Sequence, residues 1–250
     1  MNKYSETEYD IFSRLFILKE FTEENIDKLS NTKIGIVGIG GIGCPLSQYL
    51  IRSGIKELTL VDGDTVEKNN LNRQILFGIN NVGEKKVKVA KENLELVNKN
   101  CKINIIDSNI NSKNICYLED CSIIVDATDD WHTSRYINEY CVKKSINFLF
   151  SSAVKHDIQI ALFENSKENK HLCLNCIFPN KNDIDLPRCE TVGISGISAG
   201  LAGLITAQKI INFSLKFRDE TNILTVSDGK KLSIENIIVK SKHDCYLNVF

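Results

Sequence analysis

The stretch "KIGIVGIGGIGCP", Lys33 to Pro45, limits what this chain can fold into more than any other. An apolar, partly β-branched run reads as a buried strand. It passes into Gly38, Gly40, Gly41 and Gly43, and a helical pattern follows from Cys44 to Ser53. Glycines between a strand and a helix let a phosphate approach backbone N–H groups, and the helix N-terminus favours its negative charge. Gly38, Gly40 and Gly43 match the G-x-G-x-x-G spacing, and Asp62 ends the next strand, "ELTLVD", where a ribose-binding acid belongs. Gly38, Gly40, Gly41 and Asp62 are therefore the first nucleotide-binding candidates. Glycines that only permit strand–helix packing are the competing reading, and the position of Asp62 counts against it.

The pattern continues along the chain. Residues 8 to 30 read as two short helices, Gly83 to Asn98 and Thr133 to Lys144 as helices, and "KINIID", "SIIVDATDD" and "INFLFSS" as strands. This alternation predicts an α/β fold: a Rossmann-like, mostly parallel sheet with helices on both faces. In the second half "IQIALFE", "NILTVSD" and "ENIIVK" read as strands and Gly193 to Phe213 as a helix. Short gaps favour one sheet, continued by antiparallel strands. The expectation is a single unit over 1–250, with a helical segment (1–30), a nucleotide-binding half (31–152) and a second half (153–250). The formal net charge of −1 argues against a general nucleic-acid binder. No apolar run reaches about 18 residues, so no span of a membrane is expected. The polar start "MNKYSETEYD" is unlike a signal peptide, and a cytoplasmic location is expected. In a reducing compartment nine cysteines suggest metal, chemistry or core packing over disulfides.

"DGDTVEKNNLNRQILF" gathers Asp62, Asp64, Asn70, Arg73 and Gln74, and "NVGEKKVKVA" adds Lys86 at a helix start. Two cations here suit a triphosphate better than the pyrophosphate of a dinucleotide. "DATDD" puts Asp129 just past the fourth strand, at the edge where open α/β sheets bind ligands. A carboxylate there suits Mg²⁺, which takes one or two carboxylates together with substrate phosphates. The residues point to Mg-ATP, and the loop is no P-loop because it lacks G-x-x-x-x-G-K-[ST].

Taken together, "GIGGIGCP", "VDGDTVEKNNLNRQ", "VGEKK", "DATDD" and "CLNC" resemble the ThiF/MoeB/HesA group, bacterial relatives of ubiquitin-activating enzymes. The resemblance runs from about Tyr9 to Cys245. It implies an ATP-dependent adenylyltransferase that activates the C-terminal Gly-Gly carboxylate of a ubiquitin-like sulfur carrier, as in thiamin or molybdopterin synthesis. An acyl-adenylate forms and pyrophosphate leaves. It further implies that Gly41 approaches the phosphates and Asp62 holds the ribose. Asn70, Arg73 and Lys86 would bind the triphosphate and its transition state, Gln74 would support them, and Asp129 would hold Mg²⁺. Arg14 in "FSRLFIL" matches an arginine that reaches a partner subunit's ATP in a homodimer, or is an ordinary surface arginine. Asp64 is either a ligand or a turn residue. Lys85 and Lys88 read as solvated helix charges. With no rhodanese domain, the sulfur donor would be a separate protein.

The resemblance also gives the cysteines roles. Cys173 and Cys176 form a C-x₂-C pair, half of a tetrahedral zinc site. The family closes the site with a second C-x₂-C; here Cys245 is present but Asn248 stands three positions on, leaving His243 to complete a Cys₃His set, or the thiols merely to pack. Cys189, beside Arg188, matches a cysteine that attacks the acyl-adenylate or joins sulfur transfer in some members. Cys44, Cys101, Cys116, Cys121 and Cys141 read as core or spacer residues.

Two departures fall near the nucleotide. The family's "TDN" is Thr128-Asp129-Asp130 here, adding a carboxylate beside the expected Mg²⁺. Its arginine four residues beyond that third position is Ser134, with Arg135 next to it. Trp131 reads as a packing residue and His132 as a surface one. The acceptor is thus less constrained than the ATP. Adenylation of a short peptide or another carboxylate or amide is the alternative. A non-catalytic partner subunit is a third, and the presence of Arg73, Lys86 and Asp129 argues against it.

Overall fold

The computed structural model describes residues 4–165, 172–179 and 192–240. Cys189, His243 and Cys245 lie outside these residues. The alternating apolar runs form one eight-stranded sheet in the order β3-β2-β1-β4-β5-β6-β7-β8. The strands are β1 (Lys33–Val37), β2 (Glu57–Val61), β3 (Lys102–Ile106), β4 (Ile123–Asp126), β5 (Asn147–Val154), β6 (Asp157–Phe163), β7 (Ile223–Asp228) and β8 (Ser233–Ile238). Strands β1 to β5 pair in parallel, and β6, β7 and β8 continue the sheet antiparallel. The chain winds outward from β1 through β2 to β3, then returns to place β4 on β1's other side. The crevice between the carboxyl ends of β1 and β4 is therefore the topological switch point, where such sheets bind ligands.

The helices are α1 (Glu6–Phe12), α2 (Glu23–Ser30), α3 (Gly43–Arg52), α4 (Lys86–Glu95), α5 (Trp131–Lys144), the single turn α6 (Leu174–Ile177) and α7 (Gly196–Leu215). Period-2 alternation splits each strand's side chains between two cores. Ile34, Ile36, Leu58, Leu60, Ile123 and Val125 pack with Leu46 and Leu50 of α3 and Ala199, Ala202 and Ile210 of α7. Ile124, Phe148 and Phe150 face the other way, onto Ile137 and Cys141 of α5 and Cys173 and Cys176 at α6. The small residues of α7 let it lie against α3: a Cβ on Gly203 would stand 2.6 Å from the Ile42 carbonyl oxygen. Helix α4 is shorter than the sequence expectation, α7 is shifted by two or three residues toward its C-terminal end, and α5 starts two residues earlier, at Trp131, where Asp130 caps it. Among the described residues, no helix is long and apolar enough to cross a membrane.

The core reading of the cysteines holds for four of the five. Cys44, Cys101, Cys121 and Cys141 are buried, whereas Cys116 is exposed. Burial pushes the Cys44 and Cys121 thiols up to about 12 and Cys101 up to about 11, and raises Cys141 as well, so these stay protonated and unreactive.

Candidate nucleotide site

The glycine loop is shaped by backbone contacts. Gly38 sits at φ +93°, which an L side chain rarely adopts, and a Cβ there would lie 2.7 Å from the Ala127 carbonyl oxygen. A Cβ on Gly43 would lie 2.1 Å from the Gly38 carbonyl oxygen, and one on Gly41 would lie 2.9 Å from Ala199 Cβ. At Gly40 the nearest atom is Gln74 Nε2, 3.9 Å away. These contacts draw together the loop after β1, the loop after β4 and the start of α7. Helix α3 begins at Gly43, and its N-cap, Ile42, supplies no side-chain hydrogen bond. First-turn N–H groups with no side-chain cap are what a phosphate requires.

Asp62 fixes this loop. Its Oδ2 accepts from the Ile39 N–H at 2.8 Å and its Oδ1 from the Asp64 N–H at 2.9 Å. Burial raises its pKa against the opposing pull of Lys86 and these two N–H groups. Lys86 opens α4 with its side chain 8% exposed; Nζ lies 2.8 Å from Asp64 Oδ2 and 3.9 Å from Asp62 Oδ1. Asp64 is largely exposed, so this cation is held by a partner that can release it. Lys85 is more than a solvated charge: Nζ donates to the Gly63 carbonyl at 2.8 Å and pairs with Asp107 at 3.1 Å, tying the ends of β2 and β3 together.

The "NNLNRQ" segment turns through a short 3₁₀ helix at Lys68–Asn70. Arg73 Nη1 donates to the Asn69 carbonyl at 2.9 Å and to Asn72 Oδ1 at 3.1 Å, and its Cγ flanks Gly41. Gln74 is buried, and its Oε1 has no hydrogen-bond partner among the described residues. The structure uses the Asn70 side chain locally: Oδ1 accepts from the Glu67 N–H at 3.1 Å and Nδ2 donates to Asn69 at 2.7 Å. Asn70 therefore shapes the turn that carries Arg73.

Asp129 is exposed just beyond β4. Asp130, the departure from "TDN", is the N-cap of α5; its Oδ2 accepts from the Thr133 N–H at 2.9 Å and the Thr133 hydroxyl at 2.7 Å. Aspartate and asparagine cap equally well, so the substitution keeps a structural role. Sequence reasoning missed Asp126. It is fully buried, and its Oδ1 accepts from the Thr128 N–H at 3.0 Å and the Thr128 hydroxyl at 2.7 Å, which bends the chain toward Asp129. Among the described residues its Oδ2 has no hydrogen-bond partner, and burial pushes its pKa up to about 6 against the opposing pull of the Ser134 and Thr128 hydroxyls. The sequence showed only that the position expected to carry arginine holds Ser134; among the described residues no cation pairs with this carboxylate. Arg135 does not take that place. It donates to Asn175 Oδ1 at 3.0 Å and to the Phe178 carbonyl at 3.3 Å, on the side of the C-x₂-C turn.

Cys173 and Cys176 are buried with their Sγ atoms 3.9 Å apart. Thiolates at about 2.3 Å from a tetrahedral zinc stand about 3.8 Å apart, so the pair fits two corners of such a site. Among the described residues no third His, Cys, Asp or Glu completes it. Arg14 is exposed in the turn after α1, and no hydrogen bond or ion pair among the described residues joins it to the glycine loop.

With this geometry in place, the family model described as the ThiF family matches residues 12–247. The chain belongs to the ThiF family. This ThiF-family chain is 30% identical over 240 residues to the adenylyltransferase and sulfurtransferase MOCS3-1 of Drosophila pseudoobscura pseudoobscura, covering 94% of the chain and 52% of that protein. It thus spans about half the length of the MOCS3 relatives it matches. A sulfur carrier protein adenylyltransferase of Thermus thermophilus is 26% identical over 248 residues, covering 97% of this chain and 92% of that one. Among solved structures, E. coli MccB with MccA-N7isoASN superposes with a TM-score of 0.82 at 25% identity, covering 95% of this chain and 74% of that one.

Proposed function

We propose that this chain binds Mg-ATP at the carboxyl edge of its sheet and transfers AMP to the C-terminal Gly-Gly carboxylate of a ubiquitin-like sulfur-carrier protein. The observation that carries this is the Asp62-pinned glycine loop at a helix start without a side-chain cap, flanked by Lys86 and Arg73, with Asp129 across the switch point. The Thermus relative, covered along most of its length, supports the choice of acceptor.

The chemistry asks for positioning and charge neutralisation, and no protein base is required. An acceptor carboxylate oxygen attacks the α-phosphorus, the bond from that phosphorus to the bridging oxygen breaks, and pyrophosphate leaves with the electron pair. The loop and first-turn N–H groups would hold phosphate oxygens, Asp62 the ribose, and Lys86 and Arg73 the charge that builds up on the leaving group. Asp64 would yield Lys86 to the phosphates. Asp129 would hold Mg²⁺, which neutralises phosphate charge when bound. Zinc at Cys173 and Cys176, completed by Cys245 and His243, is part of this proposal, as are Cys189 as a sulfur-transfer thiol and a separate sulfur donor. So is a homodimer in which Arg14 reaches the partner's ATP. Helix α7 supports the dimer: Ile197 is 82% exposed, Leu204 lies two turns on, and a Cβ on Gly200 between them would meet nothing.

A short peptide or an amide acceptor is the second reading. The likeness to MccB solved with MccA-N7isoASN favours it. ATP–pyrophosphate exchange decides between them. Exchange that needs a Gly-Gly-ended carrier upholds the first reading, and exchange driven by short peptides alone upholds the second. ATP binding with neither points to a subunit that needs another half.

A further inference from the structure

Helix α5 touches both places that the proposed function uses. Its N-cap, Asp130, directly follows Asp129. Just over one turn later, Arg135 holds the turn between the two thiols: Nη1 bonds Asn175 Oδ1, and Nη2 bonds the Phe178 carbonyl oxygen. Asn138, three residues further on, adds a second strut, its Oδ1 accepting from the Leu174 N–H at 2.9 Å. Leu174 and Asn175 are the two residues between Cys173 and Cys176.

The same guanidinium lies 5.1 Å from the ring centroid of Trp131, the first residue of α5. Trp131 meets Phe178 edge-on at 5.2 Å and Phe150 at 6.0 Å. Its indole N–H is buried without an acceptor among the described residues. Packing against Arg135, Phe150 and Phe178 therefore sets its position, with no hydrogen bond to anchor it separately. A guanidinium that bonds the thiol turn and lies over the indole ring would carry a shift of that turn to Trp131, two residues from Asp129. A metal held by both thiols would hold the turn between them, and with it the residue that Arg135 bonds.

We propose that Arg135 is a positioning residue that couples metal occupancy of the Cys173–Cys176 pair to the nucleotide-facing start of α5, so that a filled thiol pair tightens Mg-ATP. The proposal rests on the zinc and Mg-ATP readings above. Coupling between two binding sites is reciprocal, so Mg-ATP must tighten zinc by the same factor.

The test uses the full chain, kept reduced with a phosphine. Zinc per chain is measured by elemental analysis before and after chelation. Mg-ATP affinity is measured by calorimetry in both states, and the emission of Trp131, the chain's single tryptophan, reports on α5 directly. Expected is a weakening of Mg-ATP by about fivefold or more on zinc removal, an emission shift, and an equal factor in zinc affinity with and without Mg-ATP. Arg135→Lys, which keeps the charge but loses the fork and the flat face, should still bind zinc and lose that dependence. Asn175→Ala supplies the same arm if Arg135→Lys fails to fold. Equal Mg-ATP affinity with zinc verifiably present and absent overturns the proposal, as does full coupling in the variants. Well under one zinc per chain sinks the metal reading and this inference with it. Failure to bind Mg-ATP in either state sinks the nucleotide reading instead.

Discussion

At the scale of single residues, charge placed where charge develops sets the largest expected effects. Arg73→Ala should lower exchange by about 10²-fold or more, the scale of losing a preorganised charge stabiliser. Asp129→Ala should abolish Mg-dependent exchange and leave the circular dichroism spectrum unchanged; exchange at the native rate would remove Asp129 from the metal. Asp126 gives a pH signature. Its pKa rises from 3.8 to about 6 on folding, so the folded chain holds an extra proton between those values. The stabilisation this brings is complete below the unfolded pKa and is lost as pH rises through 6. Asp126→Asn keeps an acceptor for Thr128 and carries no charge. It should flatten that slope and raise stability at pH 7.5 by up to roughly 3 kcal/mol, read by denaturant melts at pH 5 and 7.5. An equal slope in both proteins would mean that water reaches the carboxylate.

At the scale of elements, the glycine loop separates two kinds of position that the motif alone treats alike. Gly43→Ala and Gly38→Ala drive a methyl into backbone, whereas Gly40→Ala meets only the far end of Gln74. The first two should prevent folding or nucleotide binding, and the third should keep both, as a thermal-shift assay with Mg-ATP would show. The cap of α5 gives a parallel contrast. Asp130→Ala should cost about 1 kcal/mol, while Asp130→Asn should be nearly neutral. Strand and helix identities were legible because the parallel strands are short continuous apolar runs, buried on both faces, set between stretches of helical period, and the glycine loop and Asp62 were legible through spacing. The Asn70 turn, the Lys85–Asp107 tie and the buried Asp126 were not. Each depends on which side chain a distant backbone group meets, and a linear pattern carries no such contact. The Ser134 departure was visible, but its consequence required knowing that Asp126 points away from solvent.

At the scale of the whole molecule, the two halves share one site. A Cβ on Gly196, in α7, would stand 2.5 Å from the Asn72 carbonyl oxygen, and Ala199 abuts Gly41, so the second half walls the glycine loop of the first. Cutting the chain between β5 and β6 should therefore yield no nucleotide-binding fragment. In the proposed homodimer, the exposed face of α7 would meet the second copy. Ile197→Glu with Leu204→Glu should give a monomer by analytical ultracentrifugation, with exchange reduced because Arg14 no longer meets a partner. A native protein that sediments as a monomer and exchanges at full rate would end that reading.

The glycine loop is crowded by main chain at Gly38 and Gly43 and by the Ala199 and Arg73 side chains at Gly41, and this crowding leaves little room for alphabet. A library randomised at Gly38, Gly41 and Gly43 and selected for ATP use should return glycine at all three. An engineer who rebuilds the antiparallel half must therefore leave Gly196 and Ala199 in place, because they wall the same loop.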